Sequence, residues 1–260
     1  MNYGLLEGQR RDDYLGGTLP YEVRNPSGDW TPHLPPGEFQ ATNNVDTMAC
    51  VTFSDLNSIE TQYHFHTGTH RNFSDRFTAR MSGTTTEGNY LFRVADSVRR
   101  DGLVDESEWP APAVFTWDEY YKTPPIEVVD KARLFLATWS VQYEWIDVTR
   151  ESLMYHLKHA PIQVTIPGHA VLDFYTTADV QKYFDSYLPF VKERAEPFVS
   201  AMKVVLSRKV MTESEVKKQY KLAFYRLPDA GELQYWVGKP LELFLDTAIK
   251  DRAAFLAQPV

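Results

Sequence analysis

Cysteine is almost absent from this chain of 260 residues, because Cys50 is the only one. A single thiol cannot form an internal disulfide, so a reducing compartment is the simpler expectation. No stretch approaches the about 18 consecutive apolar residues that mark a membrane-spanning helix. The N-terminus also lacks a basic segment followed by an apolar core, so the sequence predicts no secretory signal peptide.

The chain also has no excess of positively charged residues. The 27 lysines and arginines are outnumbered by 35 aspartates and glutamates, which gives a net charge of −8. Without a basic cluster to contact phosphates, we expect no nucleic-acid binding. Hydrophobic residues make up 43% of the chain and aromatic residues 14%, enough for one large domain or a domain with an appendage.

Glycine and proline are concentrated near the N-terminus. Residues 1–40 contain six of the thirteen glycines and five of the sixteen prolines, so we expect a loop-rich arm there. Beyond it, apolar periodicity predicts helices and strands. The predicted helices lie at about 47–64, 72–77, 87–100 (stopped by Gly102), 117–122, 125–137 and 149–159. The predicted strands lie at 139–145, 162–166, 169–175 and 182–187. Residues 189–260 again show a helical pattern.

A helical first half, a β-rich middle and a helical tail predict an α+β fold. We divide the chain into a loop-rich arm at 1–40, a main domain at 41–190 and a helical C-terminal extension at 191–260. Neither an internal repeat nor a low-complexity tract interrupts this plan.

Cys50 opens a predicted helix, with Asp46 or Thr47 as its cap. The N-terminus of a helix favours the thiolate, which is the reactive form of cysteine. His169 heads a predicted strand, and Asp185 lies in the next strand-like run. Such a thiol, imidazole and carboxylate are the parts of a cysteine nucleophile with its base and orienting group. The alternative interpretation is that Cys50 is a small buried residue at a helix start.

Several segments resemble papain-like cysteine peptidases. Asp46-Thr-Met-Ala-Cys50-Val-Thr-Phe-Ser is similar to the family's nucleophile helix, and Pro161-Ile-Gln-Val-Thr-Ile166 to the strand before its catalytic histidine. His169-Ala-Val-Leu resembles the histidine motif, and Phe184-Asp-Ser-Tyr187 resembles the Asn-Ser-Trp motif. Segments 72–77 and 101–110 match the intervening regions more loosely, so the resemblance covers roughly residues 40–190.

The resemblance implies a two-lobed α+β fold, with Cys50 on a helical lobe and His169 and Asp185 on an antiparallel β lobe. It implies peptide-bond hydrolysis by a Cys-His-Asp triad without a cofactor or metal. Cys50 would be the nucleophile, His169 the general base and then acid, and Asp185 the group that orients His169. The family also has an oxyanion-binding glutamine six residues before the nucleophile. Asn44 occupies that position here, and Gln40 is the alternative if the segment between is looped out.

An unprocessed Met1, no propeptide and no disulfide resemble the cysteine-peptidase-like proteins of tailed bacteriophages more than lysosomal or secreted members. This implies a virion or the host cytoplasm as the location. The expected partners are a peptide or protein substrate and other virion proteins, with no nucleic acid and no membrane. Two functions stay open: an active cysteine peptidase, and a catalytically inactive papain-fold structural or assembly protein of a phage virion.

Other histidines suggest a metal less strongly. Residues 63–66 and His70 have a His-x-His spacing that is compatible with zinc, but no acidic or sulfur ligand lies close in sequence. We therefore predict a polar helix end and no metal site. His156 and His159 are interpreted as surface residues of a helix.

Two further features are assigned to ordinary structure. The carboxylate pairs at residues 12–13 and 105–106 are interpreted as solvated surface. The aromatic residues of segment 225–236 are interpreted as a helix pair that faces a core, because aromatic residues at helical spacing usually mark packing.

Overall fold

The structure, a computed structural model, describes residues 23–42, 45–166, 169–187, 201–224, 227–241, 243–244 and 247. The helices are α1 (Cys50–Thr67), α2 (Asp75–Ser82), α3 (Leu91–Asp101), α4 (Trp117–Tyr120), α5 (Ile126–Thr138), α6 (Arg150–Leu157), α7 (Thr177–Lys182), α8 (Glu213–Phe224) and α9 (Ala230–Trp236). The strands are β1 (Ala41–Thr42), β2 (Val45–Asp46), β3 (Trp139–Ile146), β4 (Ile162–Ile166), β5 (His169–Phe174) and β6 (Ala201–Arg208). No helix formed by these residues has the length and apolar content needed to cross a bilayer.

The chain divides into two compact units. The first consists of residues 1–133 and 141–206, and the second of residues 134–140 and 207–260. The predicted boundary between the main domain and the C-terminal extension, at residues 190–191, lies outside the described residues. The three-part division of the sequence therefore stays a prediction.

Helix α1 is the buried centre of the first unit. Eleven of its 18 residues are buried, and most of them are consecutive, so neighbouring elements cover the helix on all sides. Several of the buried residues are polar, including Asp55, Glu60 and Gln62. Burial of a polar group is costly unless it is hydrogen-bonded, and each of these three side chains has a partner outside the helix.

The main sheet has the strand order β3-β6-β4-β5. β4 is antiparallel to both of its neighbours, and Gln163 pairs with Asp173 of β5 on one side and Met202 of β6 on the other. A buried cluster packs with these strands and with helices α6 and α7; its members are Trp30, Ile146, Leu153, Leu157, Ile162, Val164, Phe174, Val180, Tyr183 and Ala201.

Trp30 packs the described part of the predicted arm against the rest of the first unit. The residue is fully buried, its Nε1 donates to Leu157 O at 2.6 Å, and its backbone N donates to Tyr175 O at 2.8 Å. A single 3-10 turn at Thr31–His33 follows. Residues 1–22 lie outside the described part of the chain.

The α+β class predicted from the sequence is confirmed. The helices and strands predicted between residues 47 and 175 each have a counterpart among α1–α6 and β3–β5. Thr149 caps α6 as predicted, because its side chain accepts a hydrogen bond from Ser152 N.

Two predictions about later elements are wrong. Residues 182–187 do not form a strand: α7 continues into a π-helical turn at Tyr183–Tyr187. A reciprocal capping box between Thr176 and Asp179 starts this helix. The tail is also not helical throughout, because Ala201–Arg208 is strand β6. β6 lies between two other strands, so six consecutive buried residues replace the alternation expected of a half-exposed strand.

The second unit has a small core of its own. Met211, Val216, Tyr220, Trp236 and Phe244 form a buried cluster, and Trp236 Nε1 donates to the Tyr220 hydroxyl at 3.1 Å. The interpretation of segment 225–236 as packing helices holds for Trp236 on α9, but Tyr235 is exposed. Tyr225 lies outside the described residues.

Candidate active site

Cys50 is the first residue of α1 and is buried, with 7% of its surface exposed. The residue before it, Ala49, is the N-cap and offers no side-chain acceptor. The prediction that Asp46 or Thr47 caps the helix is therefore wrong, because the helix starts a few residues later. The backbone N–H groups of the first turn and the helix dipole favour a negative charge at this end.

A short hairpin brings Gln40 close to the start of α1. Strands β1 and β2 pair Ala41 with Asp46 in antiparallel register. At the base of the hairpin, Thr47 N donates to Gln40 O at 3.3 Å, and Gln40 Nε2 donates to Asp46 Oδ1 at 2.8 Å. The segment between Gln40 and Thr47 is thus looped out. Asn44, the other amide considered from the sequence, lies outside the described residues.

Met48 has an unusual backbone conformation two residues before Cys50. Its φ of 55° lies in the left-handed region, which residues other than glycine seldom adopt. The Met48 N–H donates to Asp46 Oδ1 at 2.9 Å, the same oxygen that accepts from Gln40. Asp46 therefore joins the hairpin to the strained turn that leads into Cys50.

The first half of α1 contacts one row of the sheet. The row is formed by Asp173, Gln163 and Met202, which are paired across three strands. The Ser54 hydroxyl donates to Asp173 Oδ1, and Gln163 Nε2 donates to Asp55 Oδ1 at 2.6 Å.

The second half of α1 contacts the sheet further along. Gln62 Nε2 donates to Val204 O at 2.9 Å, and Leu206 N donates to Gln62 Oε1 at 3.0 Å. Val204 and Leu206 follow that row in β6, and β6 is parallel to β5 because both are antiparallel to β4. Helix α1 and strand β5 therefore run in the same direction. Their first residues, Cys50 and His169, lie at the same end of the helix and the sheet.

His169 begins β5 as the sequence predicts. Its backbone pairs with Ile166 of β4 across an irregularity in the register. Its imidazole ring lies outside the described part of the structure. The assignment of His169 as the base therefore stays a prediction.

Asp185 lies on the exposed π-helical turn after α7. Arg150 Nη2 donates to its Oδ1 at 2.8 Å, and Gln181 Nε2 donates to its Oδ2. These two hydrogen bonds, with Arg150 first, lower the pKa of Asp185 below its ordinary value, so the carboxylate is ionised at neutral pH. Its role as the orienting group stays a prediction.

The sequence reasoning missed two carboxyls between α1 and the sheet, the buried Asp55 and the half-buried Asp173. Burial raises the pKa of Asp173 to about 7, against the opposing hydrogen bonds from Ser54 and Tyr175. Burial also raises the pKa of Asp55, although Gln163 donates to it. Asp55 Oδ2 has no hydrogen-bond partner within the described residues. An aspartate in an otherwise apolar strand, as in His169-Ala-Val-Leu-Asp-Phe174, was the one available signal.

The remaining histidines form no metal site in the described part of the chain. His64 and His70 stack with their ring centroids 3.7 Å apart, and His33 Nδ1 lies 3.1 Å from His64 Nδ1. No group of three or more histidine, cysteine, aspartate or glutamate residues among the described residues could hold a metal ion.

The prediction that His156 and His159 are surface residues is wrong for His159, and His156 is half-buried. His159 is only 4% exposed, and His156 Nδ1 lies 2.9 Å from the buried Lys203 Nζ. Burial, with Lys203 adding repulsion, lowers the pKa of His156 to about 4. Lys203 also pairs with Glu144 at 3.1 Å, so this cluster has a structural explanation.

The carboxylates at residues 105–106 also differ from the prediction of a solvated surface. Asp105 accepts two hydrogen bonds from Arg71, at 2.5 and 3.0 Å. Glu106 is half-buried, and burial raises its pKa above the ordinary value. Residues 12–13 lie outside the described residues.

Comparison with known proteins gives structural neighbours only, since no family model and no curated protein matches the chain. One neighbour is xylellain, a cysteine protease from Xylella fastidiosa, at 16% identity and a TM-score of 0.46, covering 64% of this chain and 66% of xylellain. Another is procathepsin L 3 of the Tenebrio molitor larval midgut, at 16% identity and a TM-score of 0.42, covering 65% of this chain and 51% of that one. The ragweed pollen cysteine protease Amb a 11 has 16% identity and a TM-score of 0.38, covering 53% of this chain and 40% of that one. This chain thus spans less than two thirds of each of these papain-like cysteine proteases.

Proposed function

We propose that this protein is a cysteine peptidase in which Cys50 is the nucleophile, His169 the general base and acid, and Asp185 the group that orients His169. The observation that carries the proposal is the common direction of α1 and β5. Cys50 precedes Ser54 by one helical turn, about 6 Å. His169 precedes Asp173 by four strand residues, about 13 Å. Both residues therefore extend from the Ser54–Asp173 contact toward the same end.

The reaction is acyl transfer to sulfur followed by hydrolysis. The Cys50 thiolate attacks the carbonyl carbon of a peptide bond, and an oxyanion forms on the carbonyl oxygen. The tetrahedral intermediate breaks its C–N bond, and the leaving amine takes a proton from His169. His169 then removes a proton from water, which attacks the thioester and releases the carboxylic acid and the Cys50 thiolate.

The surroundings of Cys50 support this chemistry. The N-terminus of α1 favours the thiolate and supplies the Cys50 backbone N–H to the oxyanion. The second oxyanion donor is a side-chain amide, from Gln40 or Asn44. The hydrogen bonds that join Gln40, Asp46 and Thr47 favour Gln40. Asp185 is ionised, as an orienting carboxylate must be. To orient His169, its carboxylate leaves Arg150 and accepts a hydrogen bond from the imidazole instead.

The test is covalent labelling of the full chain with a peptide chloromethyl ketone. We expect Cys50 to react in the wild type and His169→Ala to slow the labelling by about a hundredfold, because the base is lost. Asp185→Asn should slow it less and shift its pH dependence. Iodoacetamide, which lacks a peptide part, is the control for simple access to the thiol. Equal labelling of the wild type and His169→Ala would contradict the proposal.

A second candidate is a papain-fold structural or assembly protein of a phage virion that does not hydrolyse peptides. The burial of Cys50 favours it, because a thiol with 7% exposure needs local opening before it can attack. The existing contacts of Asp185 with Arg150 and Gln181 point the same way. Labelling no faster than that of a free thiol would support this candidate.

A further inference from the structure

A cavity of about 270 Å³ lies in the first unit beside the start of α1. Its walls combine aromatic rings with carboxylates; the lining residues are Glu38, Phe39, Gln40, Thr47, Phe53, Asp75, Arg76, Glu106, Ala111, Phe115 and Tyr120. Gln40 and Thr47 belong to the base of the hairpin before Cys50, and Phe53 belongs to the first turn of α1. The cavity is therefore next to the proposed oxyanion-binding residues.

The lining carries more negative than positive charge. Among the described residues that line it, Glu38, Asp75 and Glu106 are carboxylates and Arg76 is the one cation. The guanidinium nitrogens of Arg76 donate to the backbone carbonyls of Tyr120 at 2.9 Å, of Pro110 at 2.9 Å and of Glu119. The carboxylates of the cavity are thus not the hydrogen-bond acceptors of this guanidinium.

Two of these three carboxylates are also poorly solvated. Asp75 is 7% exposed, and burial together with the nearby Glu38 raises its pKa well above the ordinary value. Burial likewise raises the pKa of Glu106. A cation that entered the cavity would stabilise the ionised forms of both groups.

Tyr120 gives an independent indication of a ligand. The residue is 3% exposed, and its hydroxyl lies near Thr47 but makes no hydrogen bond of normal geometry with a described residue. A buried polar group without a partner destabilises the folded state. A donor or acceptor brought by a ligand would satisfy this hydroxyl.

The residues that line the cavity suit a cation with an alkyl chain better than a metal ion. No set of three acidic or histidine ligands suited to a metal occurs among the described residues. The rings of Phe39, Phe53 and Phe115 instead offer an apolar surface to an alkyl chain. Long basic side chains bury their methylene groups against such surfaces and keep the charged end on polar groups.

We propose that this cavity binds a lysine side chain of the peptide substrate, with its methylene groups against the phenylalanine rings and its ammonium group on Asp75, Glu106 and Glu38. The assignment of the lysine to a substrate rests on the proposed peptidase function. Lysine-containing peptides are then the substrate class that this site selects.

The test measures binding without catalysis, on full-length Cys50→Ala protein. Nα-acetyl-lysine amide and Nα-acetyl-norleucine amide have matched alkyl chains and differ in the ammonium group. In an NMR titration we expect the lysine amide to bind at least about tenfold more tightly. Glu106→Gln keeps the acceptor for Ala111 N and should reduce this ratio severalfold. If Glu106→Gln fails to fold, Glu38→Gln gives the same test, because Glu38 is at an exposed position.

Glu108→Gln is the matched control, because this exposed carboxylate pairs with Lys131 and does not line the cavity. It should leave the ratio unchanged. Equal binding of the two amides, or a ratio unaffected by both cavity variants, would overturn the inference. Displacement of the lysine amide by submillimolar calcium chloride would also overturn it, in favour of a metal site.

The two proposals fail in different ways. Selective lysine binding by Cys50→Ala, with a wild type that does not react with the peptide probe, would reject the peptidase function and keep the cavity assignment. Peptide hydrolysis by the wild type without selective lysine binding would reject the cavity assignment alone.

Discussion

At the scale of single residues, Gly102 shows how one position can join two helices. It follows α3 with a φ of 79°, and a Cβ built on it would lie 2.0 Å from Ala132 O in α5. The next residue, Leu103, donates its N–H to the same carbonyl at 3.2 Å. Only glycine permits both the left-handed conformation and this close approach.

We predict that Gly102→Ala lowers the free energy of unfolding by about 3 kcal/mol. The strain of a left-handed alanine contributes about 1–2 kcal/mol, and the displacement of α5 adds a similar amount. Urea denaturation monitored by circular dichroism measures the change. Gly83→Ala is the matched control, because Gly83 has a φ of 77° but no atom within 4 Å of the added Cβ. Equal losses in the two variants would contradict the importance of the α5 contact.

Sequence reasoning predicted Gly102 as a helix stop but not its contact with Ala132. Glycine after an apolar periodic run is a local signal, whereas the approach of another helix depends on residues far along the chain. The same limit applies to the carboxyls Asp55 and Asp173. Their burial follows from the packing of α1 on β5, and residue type alone favours exposure.

At the scale of elements, the hairpin β1–β2 bears on which amide we propose for the oxyanion. Sequence spacing favoured Asn44, and Gln40 needed a looped-out segment. The pairing of Ala41 with Asp46 provides that loop and joins Gln40 to Thr47. Counting residues back from Cys50 could not reveal it, because two-residue strands have too little alternation to be recognised.

We predict that Gln40→Ala lowers kcat by about a hundredfold and changes KM much less, because an oxyanion donor acts mainly in the transition state. Asn44→Ala, which removes the other candidate amide, is the matched control and should retain most of the activity. Hydrolysis of a fluorogenic lysine-containing peptide measures both constants. The reverse result, with loss of activity only in Asn44→Ala, would assign the oxyanion site to Asn44.

The later strands show why tertiary context limits the prediction of elements. Ala201–Arg208 has a central place in the sheet, so buried residues follow one another and the period of two disappears. Residues 182–187 contain aromatic residues typical of strands, but the capping box of α7 starts a helix just before them. Helix α3 was predicted well because its buried apolar residues Leu91, Val94 and Val98 recur at helical spacing, which is a local signal.

At the scale of the whole molecule, the order of helices and strands between residues 47 and 175 followed from the sequence, whereas nothing in the sequence indicated the two compact units. Residues 134–140, which are the end of α5 and the start of β3, belong to the second unit. Lys209 N donates to Thr138 O at 2.7 Å, which links this segment to residues much later in the chain. Local periodicity contains no information about such a long-range pairing.

The overall stability of the protein should depend on pH in an unusual direction. Burial raises the pKa of Glu60 from its ordinary 4.5 to about 8, despite the hydrogen bond from Phe73 N. Burial also raises the pKa of Asp173 to about 7. Between the ordinary and the raised pKa, each of these groups is protonated in the folded protein and ionised in the unfolded chain. Folding then binds protons, so the free energy of unfolding falls as the pH rises through this window.

We predict that the free energy of unfolding decreases from about pH 6.5 to pH 8, with up to about 1.4 kcal/mol per pH unit from Glu60. Below about pH 6.5 the lowered pKa of His156 acts in the opposite direction. Glu60→Gln keeps an acceptor for Phe73 N but cannot ionise, so its stability should vary less with pH and exceed that of the wild type near pH 8. Urea denaturation at several pH values tests this. Glu127→Gln removes an exposed carboxylate from the first turn of α5 and should follow the wild-type curve. Parallel curves for Glu60→Gln and the wild type would show that Glu60 is ionised in the folded protein, because only a group that titrates differently in the two states can change the slope.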